Sequence, residues 1–442
     1  KSWSGYYGNK RADFDMMMGY KYYIIRNEEK YDESKNYLYQ YNVPFSSKLI
    51  YQNERFLVYE NPYFVSLGRA LNDTIYQIEP DKESEANNAS NFYNGMGSAS
   101  GNYREIVKNE ETFLKSAVFE ENIEVPQGFL KSDAPTYFSS YQDISSSLHL
   151  DKYVTPSDYD FNATDPGSFL NDSSLLVTLN RSKPITYGRV TDKIVFRKQD
   201  HGYLNDDPHG AYFLLGYSSD VWTRIYMIGD TFDEEGNLLK ENALLTYEYY
   251  AIKNLSKSGS PTYNGLYGFY VPGKVKAIVY CRKKEGNKDN LETVRYPTLF
   301  KQEYSDFIKK YQVLEKDAFK DVTYSPDHFT FKTNYSKNRL CVTSLGYDSG
   351  WNVVATKVGE SGSLIQEDCV TYKLDGGLLG FLAPEGEVTY SLTYFTPNLK
   401  IGVIFTYLGI FIYFGYEITL FFLLSKRKLK GISSAISKRR ND

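Results

Sequence analysis

The chain has 442 residues, with 51 Lys/Arg against 55 Asp/Glu, three cysteines and 43 tyrosines. Seven of the bases and one of the acids follow Leu424, which leaves 44 bases against 54 acids in front of it. An acidic body of this kind argues against nucleic acid as a partner. Three cysteines do not make a disulfide framework, and the length is enough for two or three domains with real cores.

In chain order, residues 16–25 predict a turn or short helix feeding a buried strand, and residues 56–60 a second strand that stops at Asn61-Pro62. Residues 81–100 read as a Glu/Asn/Ser/Gly loop. Residues 103–119 predict a helix with Ile106, Phe113, Leu114 and Val118 on its apolar face. After Leu148, Leu150, Val154 and Leu175-Leu176-Val177 the chain settles into short apolar runs. They cover 193–197, 212–215, 221–228, 244–250, 266–271 and 275–280, and turns separate them. That spacing predicts an antiparallel sandwich or jelly roll. Phe300, Tyr304, Phe307, Ile308, Tyr311 and Leu314 recur at helical spacing. Further on, Val388, Tyr390, Leu392 and Tyr394 alternate with Thr389, Ser391 and Thr393, the pattern of a strand with one wet face.

From Ile401 to Leu424 the chain is apolar with one charge, Glu417. As a helix this run is about 36 Å long, enough for a hydrocarbon core of ~30 Å. Lys426, Arg427, Lys428, Lys430, Lys438, Arg439 and Arg440 follow it, and clustered bases stay on the cytoplasmic side. The expectation is therefore a chain whose bulk lies outside the cytoplasm of a bacterial cell, in contact with membrane lipid, with a cytoplasmic C-terminal tail. An isolated acid at this depth costs ~2.5–3.5 kcal/mol or more, so Glu417 is expected to snorkel, to meet Lys426 or to face another helix. Residues 1–15 contain no apolar signal core, so export calls either for a removed signal peptide or for upstream spans.

The fold class expected is mostly β with some α. A mixed α/β segment covers 1–132, a sandwich or jelly roll 133–298, an amphipathic linker helix 299–321, and a small membrane-proximal β domain 322–398. A transmembrane helix over 399–424 and a basic tail over 425–442 complete the chain.

Motifs that carry chemistry are scarce. Asp200, His201, Asp206, Asp207 and His209 crowd one stretch, but without a metal-binding spacing, and a surface loop is the better reading. No nucleophile elbow, phosphate loop or dinucleotide fingerprint is present, so no catalytic residue, metal ligand or cofactor is nominated. Cys341 and Cys369 fall on predicted strands; a bridge between them and three isolated thiols both stand as readings.

Three late stretches carry a resemblance. They are Ser344-Leu345-Gly346-Tyr347-Asp348-Ser349-Gly350-Trp351, the Gly-rich turn from Asp375 to Gly386, and Tyr394-Phe395-Thr396-Pro397-Asn398-Leu399-Lys400. Two early ones, Met18-Gly19-Tyr20-Lys21-Tyr22-Tyr23-Ile24 and Val58-Tyr59-Glu60-Asn61-Pro62 through Ser66-Leu67-Gly68-Arg69, fall in the same order. Together they resemble the YfhO family of bacterial membrane proteins, with Ser66 where that family's pattern has proline. The resemblance implies the C-terminal part of a multi-span GT-C glycosyltransferase. Such an enzyme moves a sugar from a polyprenyl-phosphate donor to a cell-wall polymer such as lipoteichoic acid. It also implies that this chain handles acceptor or acts as scaffold, that its partners include transmembrane helices upstream of Lys1, and that the catalytic loop lies upstream too. Tyr347, Asp348 and Trp351 then become sugar-contact candidates, against the plainer reading of a Trp anchoring the small β domain. The alternative from another class is a single-pass surface protein that binds glycans or mediates adhesion.

Overall fold

A computed structural model describes residues 12–26, 47–77, 103–119, 123–132, 136–154, 177–178, 185–187, 192–198, 200–218, 223–250, 264–282, 292–294, 298–325, 328–359 and 361–439. The loop expected over 81–100, Leu175, Leu176 and the terminal Arg440 lie outside them. Strand outweighs helix, 48% against 23%, so the chain is mostly β as its sequence implies.

The sandwich forms where the regular apolar runs place it. One sheet runs in the order Val177–Thr178, Leu148–Val154, Asp192–Lys198, Lys274–Arg282, Thr223–Phe232, Leu238–Tyr250. The facing sheet runs Asn264–Val271, Ala211–Ser218, Thr298–Glu303, Gln142–Asp143. Phe196, Met227 and Ile278 meet Phe213, Leu215, Phe269 and Leu299 between them. The run Ala211-Tyr212-Phe213-Leu214-Leu215 does not alternate, because both faces of this strand are covered. Phe213 and Leu215 enter the sandwich core, while Tyr212 packs outward with its ring 5.1 Å from Phe307.

Four helices are described: α1 (Ala12–Met18), α2 (Tyr103–Lys115), α3 (Tyr304–Lys316) and α4 (Leu399–Arg439). Helix α2 is shorter than its apolar spacing suggests. It stops at Lys115, and Ala117–Phe119 continues as a strand parallel to Thr74–Gln77. Val118 therefore belongs to a sheet and not to the helix face. Phe300 likewise sits on the strand Thr298–Glu303, and the helix begins only at Tyr304.

The C-terminal β region pairs two sheets. The first runs Lys320–Ser325, His328–Tyr335, Gly386–Tyr394, Trp351–Val358, Leu364–Asp368, and the second Thr371–Leu374, Leu378–Ala383, Arg339–Gly346, Gly68–Ala70. Val388, Tyr390 and Leu392 point inward and Thr389 and Thr393 outward, as their alternation dictates. Phe319 stacks on Phe331 at 4.1 Å, with Phe381 and Tyr390 around them. Cys341 is buried in this core and Cys369 half-buried, and both are free thiols, so the bridged reading is wrong for this structure. Burial pushes the Cys369 thiol up to about 11.

The strand Gly68–Ala70 comes from the N-terminal part of the chain and closes the edge of that second sheet. A Cβ on Gly68 would stand 2.3 Å from the Val342 carbonyl oxygen, so only glycine fits there. Next to it, Arg69 is wholly enclosed. Its Nη2 donates to the Phe113 carbonyl at 2.7 Å and its Nε to the Leu114 carbonyl at 3.3 Å, capping the last turn of α2. Asp375, held at φ +47°, accepts the Val118 N–H at 2.9 Å on Oδ1. Burial pushes its carboxyl up to about 7 against the opposing pull of the Arg69 charge, and burial lowers Arg69 to about 10.

One correction concerns the N terminus. The strand Tyr22–Arg26 exists, but Tyr22 and Ile24 face out, so it is not the buried strand its composition suggests. It pairs with Phe56–Glu60, which in turn pairs with Lys48–Gln52.

Arg69→Met strands two helix-end carbonyls and an acid, and should cost about 3 kcal/mol or more by denaturant unfolding of the detergent-solubilised chain. The folded Asp375 pKa lies above the ordinary 3.8, so the folded state holds this proton more tightly. Stability from this group is therefore full at low pH and is lost as pH rises from about 4 through 7. Asp375→Asn should flatten that part of the stability–pH curve; an unchanged slope counts against the assignment.

Candidate functional site

Helix α3 buries Phe307, Lys310 and Leu314 on one face. The lysine in that stripe has no route to water, and its ammonium meets Asp13 of α1 at 2.5 Å. It also donates to Ser140 Oγ at 3.2 Å and lies 5.0 Å over the Tyr141 ring. Ser140 passes the connection on. Its N–H donates to Glu111 Oε1 at 2.7 Å, its hydroxyl donates to the same oxygen, and it accepts from Gln302 Nε2 at 2.5 Å. One buried network thus joins α1, α2, the turn at 139–141, the strand before α3, and α3 itself.

Burial raises the Glu111 carboxyl, Lys310 pulls it back, and Asp13 adds to the rise. Burial, with Asp13 and Glu110 nearby, also lifts the Tyr141 phenol far above its ordinary value. Asp13 Oδ2, Tyr141 Oη and Gln302 Oε1 are buried without a hydrogen-bond partner among the described residues. Asp13, Glu111, Gln302 and Lys310 are all buried, so among the described residues none of the network's ionisable carboxyl or ammonium groups faces a substrate. Its chemistry is that of a tie.

Sequence patterning missed this cluster, although one signal was there. Lys310 follows Phe307 by three and precedes Leu314 by four, which puts it on the apolar stripe and not between stripes.

The acidic loop 200–210 also proves to be structural. Asp207 Oδ2 accepts the Ser305 N–H at 2.9 Å and so caps α3, while Glu303 accepts the N–H groups of Asp206 and Asp207, each at 3.0 Å. Burial alone would raise Asp207, but bonds from His209 and Ser305 outweigh it and hold it low. Among the described residues no three His, Cys, Asp or Glu side chains converge as metal ligands.

The residues singled out in the sequence for sugar contact do come together. Trp351 opens the strand Trp351–Val358 half-buried, with its ring 5.0 Å from Tyr394 and 5.8 Å from Phe329. Its indole N–H is spent on the Gly346 carbonyl at 3.1 Å. Asp348 Oδ1 takes the Gly350 N–H at 2.7 Å, an Asx-type turn. A Cβ on Gly350 would stand 2.3 Å from the Phe395 carbonyl oxygen, so the turn needs glycine. Tyr347 is pinned by its backbone to Gly377 and leaves its ring exposed, beside the same corner from which α4 departs.

Helix α4 carries its apolar side chains outward on every side from Ile401 to Leu424. The span Ile401–Arg427 is long and apolar enough to cross a membrane, and none of it is buried against the rest of the described chain. Glu417 stands on this exposed surface. At 41 residues the helix is ~61 Å long, so it runs on past the apolar stretch into the basic segment.

A mostly β body joined to one such helix defines a membrane-associated β protein. Residues 4–183 match the model of the family described as Bacterial membrane protein YfhO, so the resemblance seen in the motifs holds over that segment. No curated protein matches the chain. Among solved structures, a cycloisomaltooligosaccharide glucanotransferase from Paenibacillus is similar at a TM-score of 0.18 and 8% identity, covering 58% of this chain and 46% of that one. The N-terminal tandem CBM22 domains of Xyn10C from Paenibacillus barcinonensis follow at 0.16 and 8%, covering 48% and 84%. The arabinofuranosyltransferase AftD from Mycobacteria stands at 0.15 and 7%, covering 56% and 25%. The chain thus spans less than half of the first of these, and at such TM-scores none of them carries an argument.

Lys310→Met should leave Asp13 unpaired and cost about 3–5 kcal/mol, and Lys310→Met with Asp13→Leu should cost less than the single change. A denaturant-unfolding cycle on the two sites reads this directly; strictly additive losses would show that the pair does not act as a unit.

Proposed function

We propose that the chain is the outer, β-rich portion and last span of a polytopic GT-C glycosyltransferase. The enzyme transfers a sugar from a polyprenyl-phosphate donor to a cell-surface polymer such as lipoteichoic acid. The observation that carries this reading is the YfhO match over residues 4–183, together with the motif-bearing corner at Trp351 set against the base of α4. The bases after Leu424 support a cytoplasmic C terminus and an outer location for everything before Leu399.

On this reading the catalytic acid belongs to an upstream loop, and the described portion handles acceptor or holds the bundle in place. Tyr347 supplies the open ring for a sugar face, whereas Trp351 with its N–H already bonded shapes the corner behind it. Glu417 turns toward another helix of the same protein, which spares it contact with hydrocarbon.

In the enzyme with its upstream spans, Tyr347→Ala should raise the acceptor KM about tenfold with kcat and unfolding midpoint little changed. The present chain alone should transfer no sugar. Unaltered kinetics in the variant would remove Tyr347 from the acceptor site, and turnover by the isolated chain would overturn the division of labour. If the coding sequence upstream of Lys1 holds only a signal peptide, the chain is a single-pass glycan-binding protein instead.

A further inference from the structure

The end of the five-stranded sheet nearest the membrane follows from chain continuity. The strand Gly386–Tyr394 runs out at Tyr394, and α4 begins at Leu399. Five residues span at most ~17 Å, so Tyr394 lies within that distance of the helix start. Register places Trp351 opposite Tyr394, His328 opposite Thr393 and Ser325 opposite His328 at this same end. The hairpin pairing Val358 with Leu364 lies at the opposite end of the sheet.

Gly346 accepts the Trp351 indole N–H at this end, so the strand Arg339–Gly346 finishes there too. A Cβ on Gly19, three residues ahead of Tyr22, would stand 3.6 Å from Ser344 Oγ on that strand, and the Lys21 ammonium stands 3.8 Å from Glu60 and 5.1 Å from the Tyr22 ring centroid. The small sheet of Tyr22–Arg26, Phe56–Glu60 and Lys48–Gln52 therefore starts at the membrane end of the molecule.

Its two faces differ. Tyr23 turns inward, with its hydroxyl donating to Asp15 of α1 at 3.1 Å. Register puts Tyr22 opposite Glu60 and both Ile24 and Tyr51 opposite Val58, so these side chains share the other face with Phe56. That face is open: Tyr22 is 49% exposed, Ile24 71%, Tyr51 54% and Phe56 44%. Lys48 sits on it and Lys21 borders it. Soluble surfaces seldom gather so many large apolar groups in one patch. Aromatic and aliphatic side chains edged by lysines are the composition of a surface that rests in the headgroup region of a bilayer.

We propose that this face is a second membrane contact, lying in the outer lipid interface beside α4. The occupant is phospholipid. Tyr22, Ile24, Tyr51 and Phe56 enter the headgroup–acyl boundary, and Lys21 and Lys48 reach lipid phosphates. The body is then held at two points, which fixes its tilt over the membrane where a single helix would let it swing. The inference rests on α4 as a membrane span and not on sugar transfer.

The full chain in phosphatidylglycerol-containing vesicles, with p-benzoylphenylalanine replacing Ile24 or Tyr51, tests this. Leu364, 69% exposed at the far end, is the control position. Irradiation should give phospholipid adducts at 24 and 51 in about tenfold higher yield than at 364, with unfolding midpoints matching the parent. Equal yields at the three positions, or adducts to a second copy of the chain, would overturn the proposal. A chain inert toward every sugar donor that still labels lipid would uphold this contact while the glycosyltransferase reading failed.

Discussion

The structure depends on how the carbonyl end of α2 is closed. Arg69, shut away from water, gives hydrogen bonds to Phe113 and Leu114, and the residues on either side of it form the edge strand of a C-terminal sheet. An enclosed guanidinium keeps its place only if its donors and its charge are met. The helix end supplies carbonyls and the negative end of a dipole. Helix and sheet are therefore fixed to each other by a requirement and not by general stickiness. One turn earlier on the same helix, Glu111 holds Ser140, and through Ser140 it reaches Gln302 and Lys310. A single 13-residue helix thus connects the sandwich side of the molecule to the side that carries α4.

That rigidity gives the membrane geometry its meaning. Between Tyr394 and Leu399 the chain has little slack, and Phe395 is held to Gly350 by a backbone bond of 2.9 Å. The orientation of α4 relative to the C-terminal sheets is consequently carried through Arg69 and Lys310 to the rest of the body. A loosely tethered domain would need none of these buried ions, whose desolvation is costly.

Where a residue's surroundings are set by its own strand, the sequence was readable. Val388, Tyr390 and Leu392 against Thr389 and Thr393 announced a half-buried strand, and the evenly spaced runs between 193 and 280 announced the sandwich. Ala117–Phe119 was misread because Val118 continues the apolar spacing of α2, and what ends the helix is pairing with a strand forty residues earlier. Arg69 and Lys310 were invisible for a related reason. A buried cation looks like a surface cation until its partners, at 113 and 13, are brought in by the fold. Tyr22 and Ile24 erred the other way: apolar composition implied burial, and their face is open. At the candidate site, the grouping of Tyr347, Asp348 and Trp351 was legible from proximity in sequence. The division of labour within it was not, because the acceptor of the indole N–H is a backbone carbonyl that no side-chain pattern reveals.

The all-round apolar surface of α4 separates two kinds of membrane helix. A lone anchor is satisfied by lipid on every side, and an acid deep within it has nothing to gain. A bundle helix uses small and polar positions to meet its neighbours. Gly402, Gly409 and Gly415 offer no steric resistance to close approach, and the Thr406 and Thr419 hydroxyls are bonded back to the backbone at Gly402 and Gly415. Gly415 and Thr419 share one face of the helix, whereas Glu417, two residues from each, projects about 200° away from both. The same logic distinguishes the two faces of the molecule that remain open. The face of Tyr22, Ile24, Tyr51 and Phe56 is aromatic and edged by lysine, a composition suited to headgroups, whereas α4 is apolar on every side, a composition suited to hydrocarbon.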